Sequence, residues 1–315
     1  MLIFLAGLFV HSTVYLEPHD EGDELIYMTL VNQLDSGHGY TLRGSRLLEA
    51  GYISKEQYSG KLFFHPPGGV VLFWLFFKVF NLLGYPLAQL FSYTLFFWSM
   101  MLLGNLTGIF STKFGPVILA CMSAFNPIMS HVITNFWLDG PVLAFSTCAV
   151  SVFIWSVARG KLSVAVLAGV IFGYSCLIKQ TAFLIVPGLA LFTWFLLRPI
   201  KPHHFVKFGI GFLATAIMMQ LPWEIWQWIT VGPPFARHIN PFKTLMETNP
   251  YIYYVTVVRS SWIYFSLLPR ILWTTVPSIL LSIILWHDKK IRNLGLSLWV
   301  WICVVLSAHI ILGFM

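Results

Sequence analysis

Residues 140–178 read GPVLAFSTCAVSVFIWSVARGKLSVAVLAGVIFGYSCLI. Two apolar runs, 140–158 and 162–178, are separated only by Arg159-Gly160-Lys161. Each run has the ~17–25 residues a helix needs to cross a ~30 Å hydrocarbon core. A turn this short and basic between them predicts an antiparallel pair of transmembrane helices. Similar runs recur at about 1–16, 86–110, 116–138, 182–197, 208–222, 270–286 and 294–315, giving about nine spans. The 315-residue chain is 57% hydrophobic and 10% charged, with mean hydropathy +0.77. That composition predicts an all-α, polytopic transmembrane bundle rather than the one or two soluble domains its length would suggest. The four cysteines, Cys121, Cys148, Cys176 and Cys303, all fall in spans, so no disulfide framework is indicated.

The charges give the topology. Loops carrying Lys113, Arg159, Lys161, Arg198, Lys201, Lys207, Lys289, Lys290 and Arg292 contain one acid, Asp288. The positive-inside rule makes these loops cytoplasmic, so the net charge of +7 reflects orientation and not nucleic-acid binding. Of the twelve acids, eight lie between Glu17 and Glu56, and Asp139, Glu224 and Glu247 fall on the same outer side. Carboxylates gathered on one surface beside the bilayer predict chemistry there. The expected organisation is a membrane module at 1–222 with an outer acidic loop at 17–66, a second outer loop at 223–269, and further spans at 270–315. Both ends read as clipped, with Met315 inside an apolar run. Residues 68–84, GGVVLFWLFFKVFNLLG, are expected to form an interfacial or re-entrant helix, because Lys78 would be costly at the bilayer centre. A crossing helix with a snorkelling Lys78 is the alternative.

Within the outer loop, Tyr27, Leu30, Val31 and Leu34 fall on one helical stripe, and Asp23, four residues before Tyr27, extends it. An acid on an apolar stripe costs desolvation unless it has partners or a task, which makes Asp23 and Glu24 functional candidates. Asp20, Glu21 and Glu17 read as helix-start acids. The Phe63-Phe64-His65-Pro66-Pro67-Gly68-Gly69 corner fixes a rigid approach to the next helix and holds His65 at the surface. Asp139, in a tight outer turn before Gly140-Pro141, reads as a turn cap or a second functional carboxylate. Lys179, outside the cytoplasmic loops, reads as a phosphate-binding cation or a snorkelling one.

These residues, in this order, resemble membrane glycosyltransferases of the GT-C fold, in the branch with protein O-mannosyltransferases and the lipid A aminoarabinose transferase. Asp23-Glu24-x-x-Tyr27 is similar to the branch's opening motif, and His65-Pro66-Pro67-Gly68-Gly69 to its Lys/His-Pro-Pro element. Asn126-Pro127 with Asp139-Gly140-Pro141 resembles its second outer acid. Leu177-Ile178-Lys179 and Leu221-Pro222-Trp223 resemble its later marks. The resemblance covers about residues 17–230. Many relatives have Lys where His65 stands.

The resemblance implies an inverting enzyme that moves a sugar from a polyprenyl-phosphate donor to an acceptor hydroxyl or amine on the extracytoplasmic face of a cell (inner or plasma) membrane. On this reading Asp23 is general base, and Glu24 and Asp139 orient the acceptor. His65, Lys179 and the outer arginines Arg259 and Arg270 face the phosphate, while Tyr27 and Glu224 line the substrate site. No cofactor is demanded. A divalent metal ion is an open alternative, with Asp23, Asp139, Glu224 and His65 as ligands at no tight spacing. Tyr251, Tyr253, Tyr254 and Trp262 in the second loop suit an aromatic belt or a sugar-stacking lid. The rival readings are a polytopic lipid or glycolipid transporter or flippase, whose ionisable residues would sit near the midplane, and a non-catalytic lipid-glycan binding protein.

Overall fold

The computed structural model describes residues 1–14, 22–51, 61–63, 65–81, 84–125, 137–197 and 200–231. Among these the regular structure is entirely helical. The helices are α1 (Leu2–Val14), α2 (Gly22–Asp35), the single turn α3 (Arg46–Glu49), α4 (Gly68–Phe80), α5 (Gly84–Thr107), α6 (Gly115–Ala124), α7 (Asp139–Arg159), α8 (Leu162–Ile178), α9 (Ile185–Leu196) and α10 (Pro202–Val231). The chain divides into two units, Met1–Phe183 with Pro202–Gly232, and Leu184–Lys201 with Pro233–Met315. Every contact described below belongs to the first unit. The second contributes α9, a 12-residue apolar helix that buries Gly188, Leu189, Phe192 and Thr193.

Three of the described helices are long and apolar enough to cross a membrane: α5, α7 and α10. Of the other apolar helices, α1 with 13 described residues and α6 with 10 are shorter than the expected spans, whereas α8, with 17, matches its expected run at 162–178. The span expected at 116–138 is described at 116–125 and 137–138, and those at 270–286 and 294–315 lie outside the described residues. The boundaries of the Arg159–Lys161 turn are as expected. Gly160 takes φ +67°, the left-handed conformation that terminates a helix and favours glycine, and its amide donates to Val157 O. The antiparallel pair α7–α8 follows.

Small residues set the distances between helices. Gly169 and Gly173 of α8 face α10, and a Cβ at Gly173 would stand 2.6 Å from Met219 Cβ. Such close backbone approach is the usual way helices pack where lipid removes the hydrophobic drive. Hydroxyls bridge the same seams. Ser151 donates to Ser99 O at 2.9 Å between α7 and α5, and the Ser146 and Ser175 hydroxyls meet at 2.6 Å between α7 and α8. α1 packs on α5 and α6 through Phe4, which lies 5.0 Å from Phe97, and through His11, whose ring meets Ala124 O at 3.0 Å. Large side chains such as Ile210, Ile217, Met218 and Ile229 remain exposed on α10, the surface a bilayer would cover.

Two boundaries differ from expectation. Helix α10 does not stop near Trp223 but runs to Val231, so residues 223–231 are helical and not loop. Pro222 sits inside it. A proline there forfeits one backbone bond to the residue four before it, Met218. Met218 and Leu221 are on the exposed face, while Trp223 is 3% exposed and anchors the next turn in the core. At 30 residues, about 45 Å, α10 outreaches the ~30 Å hydrocarbon core. Helix α4 has 13 residues, about 20 Å, too short to cross a ~30 Å core. Lys78 therefore lies in its last turn and not in the middle of a long run.

Helix directions bring the polar ends together. α5 and α7 run parallel, with Phe91 near Phe145 and Ser99 near Ser151. α8 and α10 also run parallel, opposite to α7. One end of this bundle therefore carries Arg159, Lys161 and Lys207, with Lys113 following α5. The other end carries Asp139, Lys179 and Glu224.

Candidate functional site

The His-Pro-Pro-Gly-Gly corner is seated on the acidic end of the bundle. Phe63 N donates to Tyr40 O at 2.9 Å, and Tyr40 Oη donates to Pro66 O at 3.2 Å. Burial raises the Tyr40 phenol well above its ordinary pKa, and the nearby Tyr27 raises it further, so it stays a neutral donor. Tyr174 Oη of α8 donates to Gly68 O at 3.0 Å. A Cβ on Gly68 would lie 2.7 Å from the carbonyl carbon of Leu177, and one on Gly69 would overlap the Leu138 side chain. The two glycines thus let the corner press directly on the start of α7 and the end of α8. His65 is half-buried there, its ring 5.6 Å from that of Phe63.

Asp139 is the first residue of α7, and Lys179 follows α8 in extended conformation with φ −152° and ψ 119°. Their side chains form an ion pair, Lys179 Nζ to Asp139 Oδ1, at 2.8 Å. It is partly open to solvent, with side-chain exposures of 27% and 46%. The next residue, Gln180, turns the other way and donates from Nε2 to Glu224 Oε1 of α10 at 2.9 Å. Two adjacent residues after α8, the extended Lys179 and Gln180 at the start of a 3-10 turn, therefore reach two acids on two different helices. Gln180 was not singled out in the sequence, because a glutamine after a lysine carries no pattern of its own.

Helix α2 buries the expected stripe. Tyr27, Leu30 and Val31 are buried, and with Tyr40, Phe63, Leu138, Ile178 and Trp223 they form one apolar cluster beneath the site. The acids depart from expectation. Asp23 is exposed, whereas Glu24 is 1% exposed. The angular position of Asp23 matches the stripe, but α2 begins at Gly22, so Asp23 sits in the first turn. Helical side chains lean toward the N-terminus, which carries Asp23 past the edge of the surface that α2 packs on. Glu24 sits three residues before Tyr27 and four before Met28 and is taken into the packing. At its other end α2 is held by Asp35, which pairs with Lys78 of α4 at 2.6 Å and accepts from Trp74 Nε1 at 3.1 Å.

The structure therefore gathers His65, Asp139, Lys179 and Glu224 at one end of one unit, over a cluster that includes Tyr27. Arg259, Arg270, the aromatic residues of 251–262 and Asn126-Pro127 lie outside the described residues. Among the described residues no three His, Cys, Asp or Glu side chains come together as a metal site would require. What the arrangement does offer is a partly open Lys179–Asp139 ion pair next to the Gln180–Glu224 bond at a polar end of the helices. Comparison with family models, with curated proteins and with solved structures found no match for this chain.

Proposed function

We propose that this chain is an inverting membrane glycosyltransferase of GT-C type, taking its sugar from a polyprenyl-phosphate donor on the extracytoplasmic face. The observation that carries the reading is the Lys179–Asp139 pair seated beside the His65–Gly69 corner and Glu224 at one end of the bundle. A lipid-phosphate donor has its phosphate at the membrane surface, where a cation and oriented donors stabilise charge that develops on the leaving group. The helix-end segregation of basic and acidic residues supports the orientation, with the Arg159 and Lys161 end in the cytoplasm. The proposal takes the whole chain as a bundle of about nine spans in which α4 lies in the interface.

In this mechanism the acceptor approaches the exposed Asp23. Asp23 takes the acceptor proton as the acceptor oxygen or nitrogen forms its bond to the anomeric carbon. The bond from that carbon to the phosphate oxygen breaks on the opposite face, and polyprenyl phosphate leaves with the electron pair. Phosphate is a good leaving group, so no carboxylic acid need protonate it. Lys179 and His65 face the phosphate, while Asp139 and Glu224 line the acceptor side. Glu24, which the sequence places beside Asp23, is enclosed in the packing of α2 and out of direct reach of substrate.

The test is transfer of radiolabelled sugar from a panel of polyprenyl-phosphate sugars, in membranes holding wild type or Asp23→Asn. Transfer by wild type and a loss of about 10²–10⁴-fold in the variant is expected. Transfer at the wild-type rate by a folded Asp23→Asn protein would remove Asp23 from the mechanism. Donor binding without turnover in wild type would turn the reading to lipid-glycan binding or lipid transport.

A further inference from the structure

Lys179 has two demands on it. It is the cation best placed for a donor phosphate, yet its ammonium is already engaged by Asp139 at 2.8 Å. Asp139 in turn is spent on Lys179 and is not available to an acceptor through that oxygen. While paired, each group offsets the charge that the other would offer to donor or acceptor. We infer that the Lys179–Asp139 pair is an exchange latch: the donor phosphate displaces Asp139 from Lys179, and the released carboxylate then receives the acceptor. The inference rests on the glycosyltransferase reading and adds an order of binding to it, donor before acceptor.

The geometry suits exchange. The pair is partly open, so a phosphate can reach it, and water screens the pair enough that opening is not prohibitive. Lys179 lies in an extended link and not inside a helix, and a lysine's flexible stem lets its ammonium move between partners. Asp139 is in the first turn of α7, where the helix dipole stabilises its charge after Lys179 leaves. Its backbone is fixed by the Val142 N to Leu138 O bond, so only the side chain has to move. Gln180, held on Glu224, keeps the link in place while Lys179 changes partner. A phosphate presents more acceptor oxygens than a carboxylate, and charge-assisted bonds to it are strong.

The latch predicts an unusual signature. Removing a carboxylate from a site that binds an anion through Lys179 tightens binding of that anion while slowing turnover. The probe is undecaprenyl phosphate, titrated onto the full chain in nanodiscs of neutral lipid. Asp139→Asn should bind it about two- to fivefold more tightly than wild type, the range set by loss of a partly exposed ion pair. Lys179→Met should weaken binding, and Asp139→Asn should give no tightening in the Lys179→Met background. In the transfer assay Asp139→Asn should lower donor KM while also lowering kcat. Unchanged or weaker binding by Asp139→Asn, with wild type binding normally, would overturn the latch and leave the glycosyltransferase reading standing. Tightening of equal size without Lys179 would overturn it too, since it would reflect only the loss of a negative charge. Wild type failing to bind polyprenyl phosphate would remove both the latch and the reading it rests on.

Discussion

Gly68→Ala places one methyl group where the structure has no room for it. The new Cβ would stand 2.7 Å from the carbonyl carbon and oxygen of Leu177 and 3.0 Å from Ile178 N. These are backbone atoms at the end of α8, so no rotamer change relieves the contact. Ordinary contact begins at 3.4 Å, so α4 and the end of α8 must separate by about 0.7 Å. Overpacking of this kind costs about 1–3 kcal/mol, and the ~0.4–1 kcal/mol that alanine gains by restricting the unfolded chain offsets only part of it. The Tyr174 bond to Gly68 O lengthens in the same movement. His65 is three residues before Gly68 and Lys179 two residues after Leu177, so the displacement is passed to the site. Misplacement by about 1 Å can cost ~10²-fold in rate, so a smaller shift should cost roughly tenfold or more. The assay pairs thermal unfolding of purified protein in one detergent with sugar transfer. Gly209→Ala is the control, because nothing lies within 4 Å of its Cβ position, and a mid-helix alanine should gain about 0.5–1 kcal/mol. If Gly68→Ala melts with wild type and transfers sugar at the wild-type rate, the corner is not pressed on α8. Equal damage from Gly209→Ala would show that the loss is not specific to that contact.

Two further perturbations test the supports of the site. Tyr40→Phe should destabilise the protein by about 1–3 kcal/mol, because Pro66 O is left buried without its donor; unfolding at wild-type temperature would contradict this. The Asp35 carboxyl is held below its ordinary value of 3.8 by the bond from Lys78 and then by that from Trp74. A depressed folded-state value contributes stability that is complete above pH 3.8 and is lost as pH falls through the lower folded value. Trp74 fluorescence should therefore stay constant from neutral pH down to about that point and change only below it. Lys78→Met should move the change upward toward 3.8, and an unmoved midpoint would show that the ion pair does not hold α2 to α4.

Much of the bundle was legible because helix boundaries here are written in residue types that act locally. The Arg159-Gly160-Lys161 turn combines a left-handed glycine with two charges, and both helix ends fall at the expected residues. The stripe Tyr27, Leu30, Val31 was legible for the same reason, since its period fixes a face. The run at 208–222 is expected to give way to a loop at 223, but α10 continues, with Trp223 buried against Tyr40 at ring centroids 6.0 Å apart. That contact joins residues far apart in sequence, and no local pattern encodes it. The same holds for the pairing of Lys179 with Asp139 and of Gln180 with Glu224. The sequence supplied Lys179, Asp139 and Glu224 as candidates. Which of them meet depends on the start of α7, the end of α8 and the Glu224 turn of α10 standing at one level.

That shared level bears on which carboxylate has its oxygens available for chemistry. On the acidic side, Asp139 accepts from Lys179, Glu224 from Gln180, and Asp35 from Lys78 and Trp74. Glu24 is enclosed. Asp23 is exposed, and among the described residues it makes no ion pair. A general base must reach the proton it removes and must have an oxygen open to receive it. The packing of α2 therefore separates two adjacent acids by a single helical step of ~100°, one enclosed in the packing and one left exposed in the first turn. Exchanging them should show the division. Asp23→Asn should leave the unfolding temperature unchanged and abolish transfer, whereas Glu24→Gln should alter stability first and transfer only through it. If Glu24→Gln instead preserved stability and abolished transfer, the inward acid would be the reacting one, and α2 would have to turn on its axis when substrate binds.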